Sequence, residues 1–175
     1  GTTYDAFPTM ERAANGDLLV AYRSASAHMS NDGKVMLLRS SDGGQTWSSV
    51  LVYDDPARDD RVDLGLTKLS DGTLLLPFYT YTGSTTQSYV TISTDAGVTW
   101  NTPVLVSQLF DTLAVYGKII EITDGTLLMP AYAKNSGMAA YMSVLLESAD
   151  AGSTWALKSV IAESENSNGY NEASV

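Results

Sequence analysis

The densest run of ionisable residues in this chain is Arg58-Asp59-Asp60-Arg61, followed at once by Val62 and Asp63. Paired carboxyl groups beside an arginine are a combination that can hydrolyse a glycosidic bond. One carboxyl holds a proton for the leaving oxygen, and an ionised partner supports the charge that develops on the sugar. The same residues also suit a solvated loop laced with local ion pairs, and the run by itself does not separate the two. His28 is the only histidine, within the loop-like stretch Arg23-Ser-Ala-Ser-Ala-His28-Met-Ser-Asn-Asp32, where it is either a site group or polar surface. Tyr116 and Tyr170 lie 54 residues apart and can stack a sugar ring or simply fill space.

The elements that must position these groups announce themselves through repetition. Ser40-Ser-Asp42-Gly-Gly-Gln-Thr-Trp47 returns as Ser93-Thr-Asp95-Ala-Gly-Val-Thr-Trp100 and as Ser148-Ala-Asp150-Ala-Gly-Ser-Thr-Trp155, so all three tryptophans sit at the end of one pattern, 53 and 55 residues apart. A second signal keeps the period: Gly16, Gly72 and Gly125 follow an Asn or Asp and precede an apolar run. An Asn-Gly or Asp-Gly pair before such a run marks a β-hairpin. Each unit therefore reads as strand A, a hairpin, strand B, a loop, strand C, the Asp turn and strand D. In the second unit these strands are expected at about 62–69, 73–81, 87–93 and 103–107. Pro77 and Pro130 fall inside B strands, where a residue without an N–H predicts a bulge or irregular pairing.

Four antiparallel strands in a repeat of about 50 residues make the blade of a β-propeller. The expected class is all-β: one propeller portion over 1–175, with blades at about 5–53, 62–107 and 115–162. A fourth would begin at about 169–175, where Tyr170-Asn-Glu-Ala-Ser-Val175 matches the start of an A strand. In each Asp turn the carboxylate can accept backbone N–H groups while the tryptophan packs beneath and pins the hairpin. Asp42, Asp95 and Asp150 with Trp47, Trp100 and Trp155 are thus expected to be structural; recurrence in every unit disfavours calcium or sugar binding there. Because strand direction alternates, the Asp turns share one face with the A–B hairpins. Asp5-Ala-Phe, the His28 loop, the run from Asp54 to Asp63, Tyr116 and Gly169-Tyr-Asn-Glu172 collect on the opposite face, close to the axis, and the site is expected there. Strand register points Asp63 inward, whereas Glu11 and Glu121 are expected to face outward or serve packing.

The composition narrows the partners. With 44% hydrophobic and 17% charged residues the 175-residue chain is globular. A net charge of −10 argues against nucleic acid and places any anionic ligand in an unfavourable long-range field. No run of apolar residues is long enough for a membrane-spanning helix, no basic-then-apolar leader is present, and Gly1 suggests a processed or trimmed chain. The absence of cysteine excludes disulfides and leaves the redox compartment open. Neither a metal nor a cofactor is expected.

The pattern S-x-D-x-G-x-T-W is the Asp box, or BNR repeat, and with the Asp-Gly strands it makes the whole chain resemble the sialidase-like (neuraminidase) superfamily of six-bladed propellers. The resemblance implies a glycoside hydrolase acting on a carbohydrate at the axial face, secreted or on the cell surface. A non-catalytic carbohydrate-binding or scaffold propeller is the alternative. It assigns Asp63 and Glu172 as catalytic carboxylates, the latter as the glutamate that activates a tyrosine nucleophile. Arg23, His28, Arg61, Tyr116 and Tyr170 become substrate-binding residues. The family's Arg-Ile-Pro stretch reads Ala6-Phe7-Pro8 here, so Ala6 stands where an arginine would clamp a sialate carboxylate, and sialic acid is expected to bind poorly. The general acid of the first B–C loop would be displaced to Asp32 or replaced by His28. The nucleophilic tyrosine and two further clamp arginines would lie beyond Val175. Either a longer natural chain closes the ring, which is the favoured expectation, or two copies pair as a homodimer.

Overall fold

A computed structural model describes residues 3–106 and 108–163; Tyr170, Glu172 and the expected start of a fourth unit lie outside the described residues. The first sheet is β1 (Tyr4–Arg12), β2 (Leu18–Ala25), β3 (Lys34–Ser40) and β4 (Ser48–Tyr53), paired in that order. The second group is β5 (Asp59–Arg61), β6 (Thr67–Lys68), β7 (Leu74–Tyr81), β8 (Thr86–Ser93) and β9 (Val104–Leu105). The third is β10 (Thr112–Val115), β11 (Ile120–Glu121), β12 (Leu127–Lys134), β13 (Met142–Ser148) and β14 (Ala156–Ala162). Pairing within each group is antiparallel, and one parallel bridge, Thr112 to Thr86, joins the second group to the third. The architecture is all-β and propeller-like, as the repeats predict.

Strand alternation explains where the cores lie. In β2 the residues Leu19, Ala21 and Arg23 share the buried face. That face meets Leu74, Leu76 and Phe78 of β7, whose alternate residue Leu75 turns the other way, toward Leu127 and Met129 of the third group. The apolar cores thus sit between consecutive groups, and β7 is buried on both sides.

The prolines act differently from the sequence expectation. Pairing of β7 with β8 runs unbroken through Pro77 opposite Val90, and that of β12 with β13 through Pro130 opposite Leu145. The irregularity falls on the other neighbour. Opposite Pro77 the expected single A strand at 62–69 is split into β5 and β6, and opposite Pro130 the third A strand is split into β10 and β11. The expected strand boundaries correct accordingly: Asp59, Asp60 and Arg61 are strand residues and not a rim loop. The proline nitrogen has no hydrogen to donate to the A strand, so that strand is free to detour there.

The detours share a conformation. Phe7, Leu64 and Gly117, 57 and 53 residues apart, have φ of 56°, 56° and 95°. Left-handed backbone at a bulky residue such as Phe7 or Leu64 costs about 1–2 kcal/mol. The residues just before them, Ala6, Asp63 and Tyr116, occupy equivalent places in the three groups.

The Asp turns are closed by their own side chains. Asp42 accepts from Ser40 Oγ (2.7 Å), Thr46 N (2.9 Å) and Thr46 Oγ1 (2.6 Å), and Ser40 Oγ in turn accepts from Gly44 N (2.8 Å). The same bonds recur at Asp95 and Asp150. These charge-assisted bonds favour the ionised form, so Asp95 is held down to about 2, chiefly by Thr99 and Ser93, and Asp42 and Asp150 are lowered in the same sense. The tryptophans are not alike. Trp155 is 8% exposed and joins the core between the second and third groups, and Trp100 packs against the core between the first and second, whereas Trp47 is 41% exposed. The second and third turns lean on the preceding group: a Cβ on Gly152 would meet Leu75 at 2.8 Å, and one on Gly97 would meet Leu19 at 3.0 Å. The first turn has no preceding group among the described residues, so the pinning expected of Trp47 is only partial.

Candidate functional site

A buried arginine–aspartate–arginine chain ties the first group to the second. Period-2 alternation puts Arg23 in line with Leu19 and Ala21, facing β5. Its Nε and Nη2 donate to Asp59 Oδ1 at 3.1 and 2.7 Å, and Arg61 Nε donates to the other oxygen, Oδ2, at 2.6 Å. Asp59 and Arg23 are wholly inaccessible to solvent. Such an arrangement is tolerable in a core because each carboxylate oxygen meets a guanidinium in charge-assisted geometry. Gly33 makes room for it, since a Cβ there would lie 2.0 Å from Asp59 Oδ1 and 2.8 Å from Arg23 Nε.

The same arginines hold the His28 loop. Arg23 Nη1 donates to Ala27 O (3.0 Å) and Nη2 to Ser30 Oγ (2.9 Å), while Arg61 Nη2 donates to His28 O (3.2 Å). Arg23 is therefore an anchor: its Nε, Nη1 and Nη2 all donate to groups inside the protein, and its side chain is buried. His28 Nδ1 lies 2.9 Å from Tyr4 Oη, and its ring packs edge-on to Tyr4 and Phe7. Asp32 is exposed, and its Oδ1 accepts from Ser26 N and Oγ, both at 3.1 Å. Bonds from Ser30 and Ser26 lower its pKa, the opposite of what a general acid needs.

Beyond Arg61 opens a cleft of about 160 Å³ lined by Met29, Arg61, Tyr79, Tyr81, Thr86 and Tyr132. All three groups meet here. Antiparallel pairing sets Arg61 opposite Tyr79 on β7, and Ala114 of β10 opposite Tyr132 on β12. Asp63 is buried and hydrogen-bonds Tyr79, and its backbone oxygen accepts from Gly117 N at 3.3 Å, next to half-buried Tyr116. Burial, reinforced by Asp63, pushes the Tyr79 phenol well above its ordinary value, so it remains a proton-bearing donor. For Arg61, burial works against the charge, but the Asp59 and Tyr79 contacts outweigh it and hold the guanidinium above its ordinary value. Of the sequence-predicted residues, Arg61, Asp63 and Tyr116 are brought together. Arg23 and His28 stand behind them, and Glu172 and Tyr170 lie outside the described residues.

Sequence reasoning missed Tyr79, Tyr81, Tyr132 and Met29. A signal was present: Tyr79 and Tyr132 end the same repeated apolar strand, as does Tyr22. It also missed the burial of Asp59 and Asp60. Asp60 Oδ2 accepts from Asp55 N at 2.7 Å, its Oδ1 has no partner among the described residues, and burial pushes its pKa up to about 7. Glu11 and Glu121 are cross-links between groups, bonding Lys118 Nζ (3.0 Å) and Ser70 N (2.7 Å). Among the described residues no cluster of His, Cys, Asp or Glu is arranged to hold a metal ion, and no helix is long and apolar enough to cross a membrane.

Comparison with known proteins agrees with the fold. The BNR/Asp-box repeat model matches residues 38–49, the first Asp turn with its flanking strands. A sialidase of Paraclostridium sordellii is 26% identical over 192 aligned residues, covering 88% of this chain and 46% of the relative. A crystal structure of a Dyadobacter fermentans protein of unknown function superimposes with a TM-score of 0.82 at 24% identity, over 98% of this chain and 58% of that one. The Trypanosoma rangeli sialidase in complex with sialic acid does so with a TM-score of 0.72 at 18% identity, over 87% of this chain and 30% of that one. The chain spans about half the length of the curated relative it matches. Three Asp boxes at a constant period, the propeller-like sheets they staple and this likeness in sequence and fold make the chain similar to the Asp-box, sialidase-like superfamily.

Proposed function

We propose that this chain carries the axial part of a glycoside hydrolase site, in which the cleft beside Arg61 and Asp63 receives a sugar ring. The observation that supports it is the meeting of a buried carboxyl and a fixed guanidinium at a tyrosine-lined cleft where all three groups converge. Tyrosine faces suit the apolar face of a pyranose, and Arg61 with the Tyr79 hydroxyl supplies donors to its oxygens. Asp63 is the carboxyl for the reacting centre. A second carboxylate, required by either glycosidase geometry, is assigned to Glu172.

A neutral sugar is the preferred ligand. The carboxyl groups of Asp59 and Asp63 together offset the charges of Arg23 and Arg61, Ala6 stands at the place of a clamp arginine, and the chain bears a charge of −10. An acidic sugar would meet little uncompensated positive charge there. Ala6 also favours a second reading, a carbohydrate-binding propeller without catalysis. A panel of chromogenic glycosides separates the two. Turnover abolished by Asp63→Ala and by Glu172→Gln is expected for the enzyme. Glycan binding without turnover, undiminished by Glu172→Gln, favours the binding module, and neither binding nor turnover refutes the proposal.

A further inference from the structure

Met29 is the first group's contribution to the wall of the cleft. Its side chain is 67% exposed, yet its Sδ lies only 3.6 Å from Arg61 Nη2. Arg61 cannot drift away, because Asp59 Oδ2 holds its Nε at 2.6 Å and His28 O takes the same Nη2 at 3.2 Å. A thioether is a weak acceptor, so as it stands this contact holds the loop loosely.

We propose that Met29 is a site of reversible oxidation by a hydroperoxide, and that its sulfoxide locks the His28 loop onto Arg61 and occupies the guanidinium that faces the cleft. A sulfur lone pair of Met29 attacks the terminal peroxide oxygen. The S–O bond forms as the O–O bond breaks, sulfur loses two electrons, and the peroxide is reduced and leaves as water or an alcohol after taking up a proton. A thiol-dependent reductase reverses the step. The new oxygen is a strong acceptor, placed where a guanidinium N–H within about 2.7–3.2 Å can donate to it. Regulation of sugar binding by this step rests on the glycosidase-type reading of the cleft; the oxidation and the locking do not.

The test uses peroxide titration of the whole chain, with peptide mass mapping, NMR of the Arg61 Nε–H and amide hydrogen exchange across residues 26–33. Met10, 58% exposed, is the internal reference for an accessible methionine, and Met129, fully buried, for a protected one. Met29 is expected to oxidise with Met10 and ahead of Met129. On oxidation the Arg61 signal shifts and exchange in the loop slows by about 2- to 10-fold, the range for one added hydrogen bond. In Met29→Leu, oxidation of Met10 leaves both readouts unchanged. Oxidation of Met29 no faster than Met129, or full oxidation with the Arg61 signal and loop exchange unmoved, overturns the proposal. None of these readouts contains a sugar. A chain that fails to bind any glycan while Arg61 responds to oxidation therefore refutes the proposed function and leaves this inference standing.

Discussion

Replacing Asp60 by asparagine is expected to stabilise the protein at pH 8 and to do little at pH 5. Asp60 is fully buried, with one oxygen bonded to Asp55 N and the other without a partner among the described residues. Burial is the main cause that lifts its pKa from 3.8 to about 7, with the charges of Asp55, Asp54 and Asp59 adding to it against the Asp55 N–H bond. Between those two values the folded protein keeps a proton that the unfolded chain has released. Stability from this group is therefore complete below about pH 4 and is lost as pH rises toward 7. A gap of roughly three pH units at about 1.4 kcal/mol each sets a ceiling of about 4 kcal/mol. Asparagine retains the acceptor for Asp55 N but brings an amide donor that needs a partner, which costs about 1–3 kcal/mol at every pH. The diagnostic quantity is thus the change, between pH 5 and pH 8, in the mutant-minus-wild-type difference. We expect about 2–4 kcal/mol, or about 4–16 °C in Tm for a chain of this size. Thermal melts followed by circular dichroism at pH 5, 6, 7 and 8 measure it. The Asp turns do not interfere, because their lowered carboxylates lose their contribution only as pH falls below the ordinary carboxylate range. A Tm difference that stays flat from pH 5 to pH 8 would refute the argument that Asp60 is a buried carboxyl held near neutrality.

Asp59→Ala leaves two guanidiniums without their shared carboxylate and is expected to destabilise by about 3–5 kcal/mol in denaturant melts; a loss below 1 kcal/mol would mean that water replaces the carboxylate freely. Gly33→Ala should be severe as well, because its Cβ would overlap Asp59 Oδ1, and a near-wild-type melting curve would contradict the packing described. Trp155→Ala should cost about 3–5 kcal/mol, the range for emptying a buried aromatic site, and Trp47→Ala clearly less, since its ring is 41% exposed. Equal losses would show that the turns pin their own hairpins irrespective of the neighbouring group. Free sialic acid should show no micromolar binding by calorimetry to the 175-residue chain, and a micromolar Kd would overturn the preference for a neutral sugar.

The features that were readable from the sequence are those whose partners are close in the chain. The Asp turn closes within eight residues, Ser40 to Trp47, so its bonds follow from residue types at fixed spacing. The Asp-Gly hairpins are equally local, and their period predicted the all-β, propeller-like class. Asp63 was offered as a site candidate from its register in the repeat and Arg61 from the family resemblance, while the detour that carries Asp63 out of the strand was not legible. The rest depends on chain segments far apart. The run Arg58 to Arg61 reads as a solvated loop until Gly33 and Arg23 close over it. Only that packing makes Asp59 a buried hub, drives Asp60 toward neutrality and buries Arg23 against Asp59. Pro77 signalled an irregularity, but which neighbour would yield was decided by the pairing: the C strand holds its register and the A strand gives way. Whether a box tryptophan is a staple or a half-exposed ring depends on the presence of a preceding group, as Trp155 and Trp47 illustrate. Hydrogen bonds within a turn are specified by a few neighbouring residues. Burial is a property of what arrives from elsewhere, and the fate of a charge or an aromatic ring follows burial.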